Sequence, residues 1–319
     1  MTDAALPAAT APETAPETAP ETGALILFDH VNLRVDDHKI AIAFFIEGLG
    51  LTRDPYRMVG TGNMWVNAGR QQFHLPLGQP TPFPGVIVLG VPDLDAVREG
   101  LGRVSDGLRG TAFSWREEDG GGGAILATTP WGHALRIRQA GAGAESPVLG
   151  LSLAVFRVPL GTAAGIARFY RDWLHCPVRE TMGTETSGAL TSGSLTSGAL
   201  TSGALTSGAE TARVEVTVGP NQTFRFEETK SVEGAADEGA PGNHHVAVYL
   251  TRYREIHQTL LDHGLVSEPH RNGQFRFHEI TDPVDGTRLF RLEHEMRSLH
   301  HRDFGRPLVN RQPSWETRV

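Results

Sequence analysis

The chain has 319 residues, of which 39% are hydrophobic, 21% charged and only 7% aromatic, enough for about two domains with apolar cores. Its 29 Lys and Arg against 37 Asp and Glu give a formal charge of −8, the wrong sign for a protein that binds nucleic acid or an anionic membrane. A single cysteine, Cys176, excludes an intrachain disulfide and any cysteine-built metal cage.

No apolar run approaches the roughly 20 residues that span a bilayer, and no basic segment leads into an apolar one. A cytoplasmic protein with neither nucleic-acid nor membrane partners is expected. Cys176, at the close of a helix-like stretch, reads as a small buried hydrophobe.

Residues 1–23 are dominated by Ala-Pro-Glu-Thr repeated three times over 11–22. Proline removes amide donors and nothing large is present to bury, so a disordered arm is predicted. Strand composition follows over 25–35, and from Asp36 the period becomes helical through Ile40, Ala43, Phe44 and Leu49, with Gly48 and Gly50 as stop signals. Three short strands are predicted over 51–57, 63–69 and 70–77.

The same order recurs. A strand over Val86 to Val91 precedes a helix from Leu94 to Leu108, begun by Pro92-Asp93, and strands near 111–117, 123–128 and 133–139. A third unit has a strand over 149–158, a helix through 163–174 and strands near 177–182, 212–218 and 222–228. Between the first two of these lies 184–210, a Thr-Ser-Gly-Ala-Leu repeat. Its period of five matches neither helix nor strand, so it is predicted to be a floppy insertion in a loop. The fourth unit has a strand over 244–250, a helix over 251–264 and strands near 266–270, 274–281 and 287–295.

Four βαβββ units define an α+β fold. One unit leaves a sheet face bare; two together curl around a pocket with the helices outside, giving two cup-shaped half-barrel sheets. The expected domains are 24–142 and 143–298, each of two units, with a C-terminal extension over 299–319.

Strand alternation places Gln72 beside His74 and turns Phe73 away. It likewise sets His244 opposite His245, in a structural role, and puts Phe290, Leu292 and His294 on one face with Glu293 and Glu295 on the other. His278 stands within reach of a pocket, and His133, after a turn, is expected in solvent. Arg297, Arg302, Arg306 and Arg311 form an arginine-rich tail, either exposed or suited to an anionic ligand.

The stretches Phe28-Asp29-His30-Val31-Asn32-Leu33-Arg34-Val35, Phe73-His74-Leu75, 85–94 and His245-Val246-Ala247-Val248, with hairpins at 130–133 and 282–287, resemble the vicinal oxygen chelate superfamily. This superfamily comprises the glyoxalase, bleomycin-resistance and extradiol-dioxygenase proteins, and the resemblance covers about 25–298. It implies one divalent metal held from the first and fourth strands of two paired units. Carried over, those positions are His30 and His74 in unit one and His245 in unit four. Units two and three offer Val86, Arg136, Leu153 and Arg225, none of them a metal ligand.

In four-unit members of the family the outer units can share one pocket and the inner units another, so the resemblance favours a metal site of His30, His74 and His245 shared by the outer units over two independently degraded sites. The inner units would share a metal-free pocket with Arg136 and Arg225 as substrate-binding residues. The family's usual glutamate falls on Phe290; Glu293 is carried as the carboxylate ligand if a bulge re-aims the strand, and Gln72 as a substrate donor. No catalytic acid or base is assigned.

The expected cofactor is Zn, Fe, Ni, Co or Mn, and the expected partner a small-molecule substrate, with a homodimer possible in this family. The implied function is a metal-dependent glyoxalase- or epimerase-like lyase or isomerase, or a dioxygenase, acting on a small oxygenated metabolite. The alternative is a metal-free binding protein resembling bleomycin-resistance proteins.

Overall fold

A computed structural model describes residues 23–57, 61–118, 123–141, 149–184, 210–230 and 244–310. The N-terminal arm up to residue 22, the repeat over 185–209 and Arg311 lie outside the described residues.

Unit one comprises β1 (Leu25–Leu33), α1 (His38–Ala41) running into a π-helical turn (Ile42–Gly48), β2 (Thr52–Arg53), β3 (Asn63–Ala68) and β4 (Gln71–Pro76). Unit two is β5 (Gly85–Val91), α2 (Leu94–Val104), β6 (Ser114–Glu117), β7 (Ala124–Thr128) and β8 (Ala134–Gln139). Unit three is β9 (Gly150–Pro159), α3 (Ala163–Arg168) with a second π turn (Phe169–Trp173), β10 (Val178–Thr184), β11 (Glu210–Gly219) and β12 (Gln222–Thr229). Unit four is β13 (His244–Leu250), α4 (Tyr253–Asp262), β14 (Val266–Arg271), β15 (Gln274–Thr281) and β16 (Arg288–Ser298). Asp93 caps α2 as expected, its carboxylate accepting from Ala96 N at 3.0 Å.

Among the described residues, sixteen strands form two open eight-stranded sheets. The first runs β14-β15-β16-β13-β1-β4-β3-β2 and the second β10-β11-β12-β9-β5-β8-β7-β6. Units one and four thus share one sheet, units two and three the other. In each unit the first strand is parallel to the fourth, and the units join through antiparallel pairs, β1 with β13 and β5 with β9.

The apolar faces of the two sheets meet. Phe28 packs edge-on to Phe224 at 5.0 Å between centroids, and Phe156 contacts Phe290 at 6.1 Å. The opposite, polar face of the first sheet is therefore the one left to form a cup. Among the described residues no helix is long and apolar enough to cross a membrane. Cys176 is buried, and burial pushes its thiol upward.

Three local expectations are corrected. The strand over 51–57 shortens to Thr52–Arg53, because Asp54 Oδ1 takes the amides of Tyr56 and Arg57 into a turn instead. His133 is fully buried rather than solvated: Thr129 Oγ1 accepts its amide, and its Nδ1 accepts the Phe83 amide at 3.1 Å. β16 runs to Ser298, so Arg297 is a buried strand residue and not part of a tail.

Candidate metal centre

A bulge in β1 sets the site. Phe28 pairs with Val248 and Val31 with Val246, while only His30, opposite Ala247, falls between them in the register, leaving Asp29 as the extra residue. Phe28 and Val31 both reach the core although they are three apart. His30 is thereby turned to the polar face, where β13 presents His245 and β4 presents His74.

The three imidazoles converge: one ligand nitrogen from each of His30, His74 and His245 lies within 4.8 Å of the others. His30 Nε2 and His245 Nε2 stand 3.3 Å apart. His30 Nδ1 donates to Asp29 Oδ2 at 2.8 Å, which leaves its Nε2 lone pair aimed at the centre, the arrangement by which a carboxylate orients a metal-binding histidine. His74 stacks on Trp65, ring centroids 4.0 Å apart at 9°, and bonds Asn63 Oδ1 at 3.0 Å.

Burial holds all three rings neutral. It depresses His74 to about 2, with a contribution from His30; it carries His245 well below its ordinary value; and it lowers His30, helped by Arg297. His245 Nδ1 is buried and has no hydrogen-bond partner among the described residues. Clustered neutral imidazoles with lone pairs to spare fit a divalent transition ion, which binds this form of the ring.

A charged wall flanks the rings. Glu295 Oε2 lies 3.5 Å from His245 Nε2 and accepts from Arg276 at 2.5 Å, while its Oε1 accepts from Arg297 at 2.6 Å. Burial alone would raise Glu295, but the charges of Arg297 and Arg276 hold it well below the carboxylate range. Arg297 also donates to Asp29 at 2.8 Å. Glu293 accepts from Arg276 at 2.8 Å and lies 3.6 Å from His245 Nδ1 and 3.5 Å from His278 Nε2. Its desolvation outweighs the opposing Arg276 and raises it.

The remaining expected residues divide between the sheets. Gln72 shares the polar face with His74, but its amide is given to Asp54 at 2.8 Å and Asn67 at 2.6 Å. Arg136 and Arg225 lie in the second sheet, paired with Glu118 at 2.7 Å and Glu215 at 2.8 Å, so an anion there must displace a carboxylate. Phe290 is in the core and His244 packs against Phe83.

Glu295 lies on the cup side of β16, where the resemblance puts Phe290. The alternation along 290–295 is as expected, but Phe290, Leu292 and His294 face the core. The β13–β16 register pairs His294 with Val246 and Glu295 with Ala247. In unit one, the residue two beyond His30 pairs with His74; in unit four, the residue two beyond His245 pairs with Glu295, which is therefore the counterpart of His74. Asp29, Trp65, Arg276 and the site role of Arg297 were also missed; only the position of Asp29, next to His30, offered any signal in the sequence.

No family model matches the sequence, and no curated protein sequence matches it. Solved structures do. Glyoxalase I from Zea mays superposes with a TM-score of 0.51 at 14% identity, covering 87% of this chain and 92% of that one. A "putative dioxygenase" from Bacillus subtilis subsp. subtilis str. 168 gives a TM-score of 0.50 at 12% identity, covering 90% and 92%. The paired βαβββ architecture of this chain is the fold of these two structures. At these identities the likeness to both proteins is one of fold, and activity must be argued from the residues.

Proposed function

We propose that the chain is a cytoplasmic, metal-dependent enzyme acting on a small oxygenated metabolite, of the lyase, isomerase or dioxygenase type. One observation carries the reading: the buried imidazoles of His30 and His245 and the half-buried imidazole of His74 meet from three strands of a shared sheet. A divalent transition ion held there would supply a Lewis acid for adjacent substrate oxygens.

The chain's own residues do the rest. Asp29 fixes the tautomer of His30, and Trp65 fixes the plane of His74. Glu295 stays ionised between Arg276 and Arg297. Glu293 Oε2, beside the partly exposed His278, is placed to take a proton at the site and pass it toward solvent.

The competing reading is a metal-free binding protein. It is favoured by a single feature: both oxygens of Glu295 are already engaged by arginines. Elemental analysis of protein purified without a histidine tag separates the two. One ion per chain, lost in both His30→Ala and His245→Ala, is the expected result. A metal-free protein after reducing, anaerobic purification would leave the binding role.

A further inference from the structure

Beyond β16 the chain turns back, and residues 299–310 cross the polar face of the first sheet toward β3 and β4. Its far end is well fastened. Arg306 holds the buried Asp54 carboxylate at 2.6 Å, Asn67 donates to Val309 O at 2.9 Å, and Asn310 exchanges two hydrogen bonds with the Gly69 backbone. Nearer the histidines a fourth contact differs in kind. Asp303 places its carboxylate on the Arg57 guanidinium, which lies 4.1 Å over the Trp65 ring, and Trp65 is stacked on His74. A guanidinium and an indole are all that separate this carboxylate from the metal centre.

The strap does not seal onto the sheet. A cavity of about 920 Å3 remains, lined by Asp29, Arg57, Tyr249, Asp303, Phe304 and Arg306 among others. A largely apolar recess with a paired guanidinium at its wall is room for a small ligand carrying an anionic group.

We propose that Arg57, on its Trp65 shelf, is the binding site for the carboxylate of a small acid, and that Asp303 is its tethered internal occupant, displaced when the acid binds. The planar fork of arginine matches a carboxylate in both cases. A tethered competitor acts at high effective concentration, so its removal exposes the site. The site deepens the enzymatic reading, on which it rests for the role of substrate; binding itself needs no metal.

The test is a calorimetric titration of chelator-treated, dialysed, full-length protein with succinate. Asp303→Asn is expected to bind succinate about tenfold or more tightly than wild type. Asp303→Glu, which keeps the occupant, should match wild type, and adding Arg57→Gln to Asp303→Asn should abolish the gain. Equal affinities of wild type and a folded Asp303→Asn overturn the proposal, as does a gain that survives Arg57→Gln. Inorganic phosphate binding more tightly than succinate overturns the carboxylate assignment. Should Asp303→Asn not fold, saturable binding to wild type that Arg57→Gln removes supports the site, and binding that Arg57→Gln leaves unchanged overturns it. Metal content does not enter this titration, so a metal-free protein that binds succinate loses only the catalytic reading.

Discussion

Gln222 shows how single side chains join the two sheets. It is buried, accepts the Phe28 amide at 3.0 Å, and donates to Phe28 O at 3.0 Å and Leu151 O at 2.9 Å. It satisfies backbone groups at the β1 bulge, where ladder pairing is interrupted, from a strand of the other sheet. Gln71 makes the reciprocal contact, accepting from Leu151 N at 3.2 Å. Unpaired buried polar groups cost more than the average hydrogen bond gains. Gln222→Ala is therefore expected to lower unfolding stability by about 1–3 kcal/mol in urea denaturation. It should also disturb the centre, because the Phe28 backbone it holds lies at the bulge that orients His30.

At the scale of elements, the first π turn and α2 meet backbone to backbone. The π turns place adjacent aromatic residues, Phe44 with Phe45 and Phe169 with Tyr170, together in the core, which widening of the helical turn permits. The first turn also brings Gly48 against α2. A Cβ added at Gly100 would stand 2.2 Å from Gly48 O and 3.0 Å from Glu47 O. Gly100→Ala gains up to about 1 kcal/mol of helix propensity. The clash is with backbone, which cannot swing aside, and overpacking of this kind costs about 1–3 kcal/mol. The clash wins, and a lower thermal midpoint is expected, whereas exposed Gly102 in the same helix, with nothing within 4 Å of an added Cβ, should accept alanine with a gain.

For the whole molecule, the buried histidines fix the response to acid. Burial, with the nearby His244, brings His133 down to about 3; burial, with Arg291, brings His244 to about 4; burial brings His294 to about 3. Unfolded, each takes up a proton near 6.5; folded, it does not until far lower pH. Their stabilising effect is complete above about pH 6.5 and falls as pH drops below it, by up to about 1.4 kcal/mol per unit for each group. Asp29, Asp54 and Asp303 are held low by hydrogen bonds and arginines that outweigh their desolvation, so their contribution fails only in stronger acid. Thermal midpoints recorded from pH 7.5 down to 5 should fall steeply; a flat profile would contradict the neutral burial of these rings.

The units, their element order and the candidate histidines were legible because periodicity, turn residues and alternation are local properties. Alternation alone correctly paired Gln72 with His74 and separated Phe290 from Glu293. Which face of β16 looks into the cup was not local: it depends on the register with β13, on the bulge at Asp29 beside His30, 215 residues before His245, and on a second sheet burying Phe290 against Phe156. Likewise the arginines of 297–306 are visible in sequence, but only the folded chain sends one into a strand and another across the cup to Asp54. A chain encodes the repeat of a strand within a few neighbouring residues. Which two surfaces finally meet is decided by contacts among segments hundreds of residues apart, and those exist only once the sheets have paired.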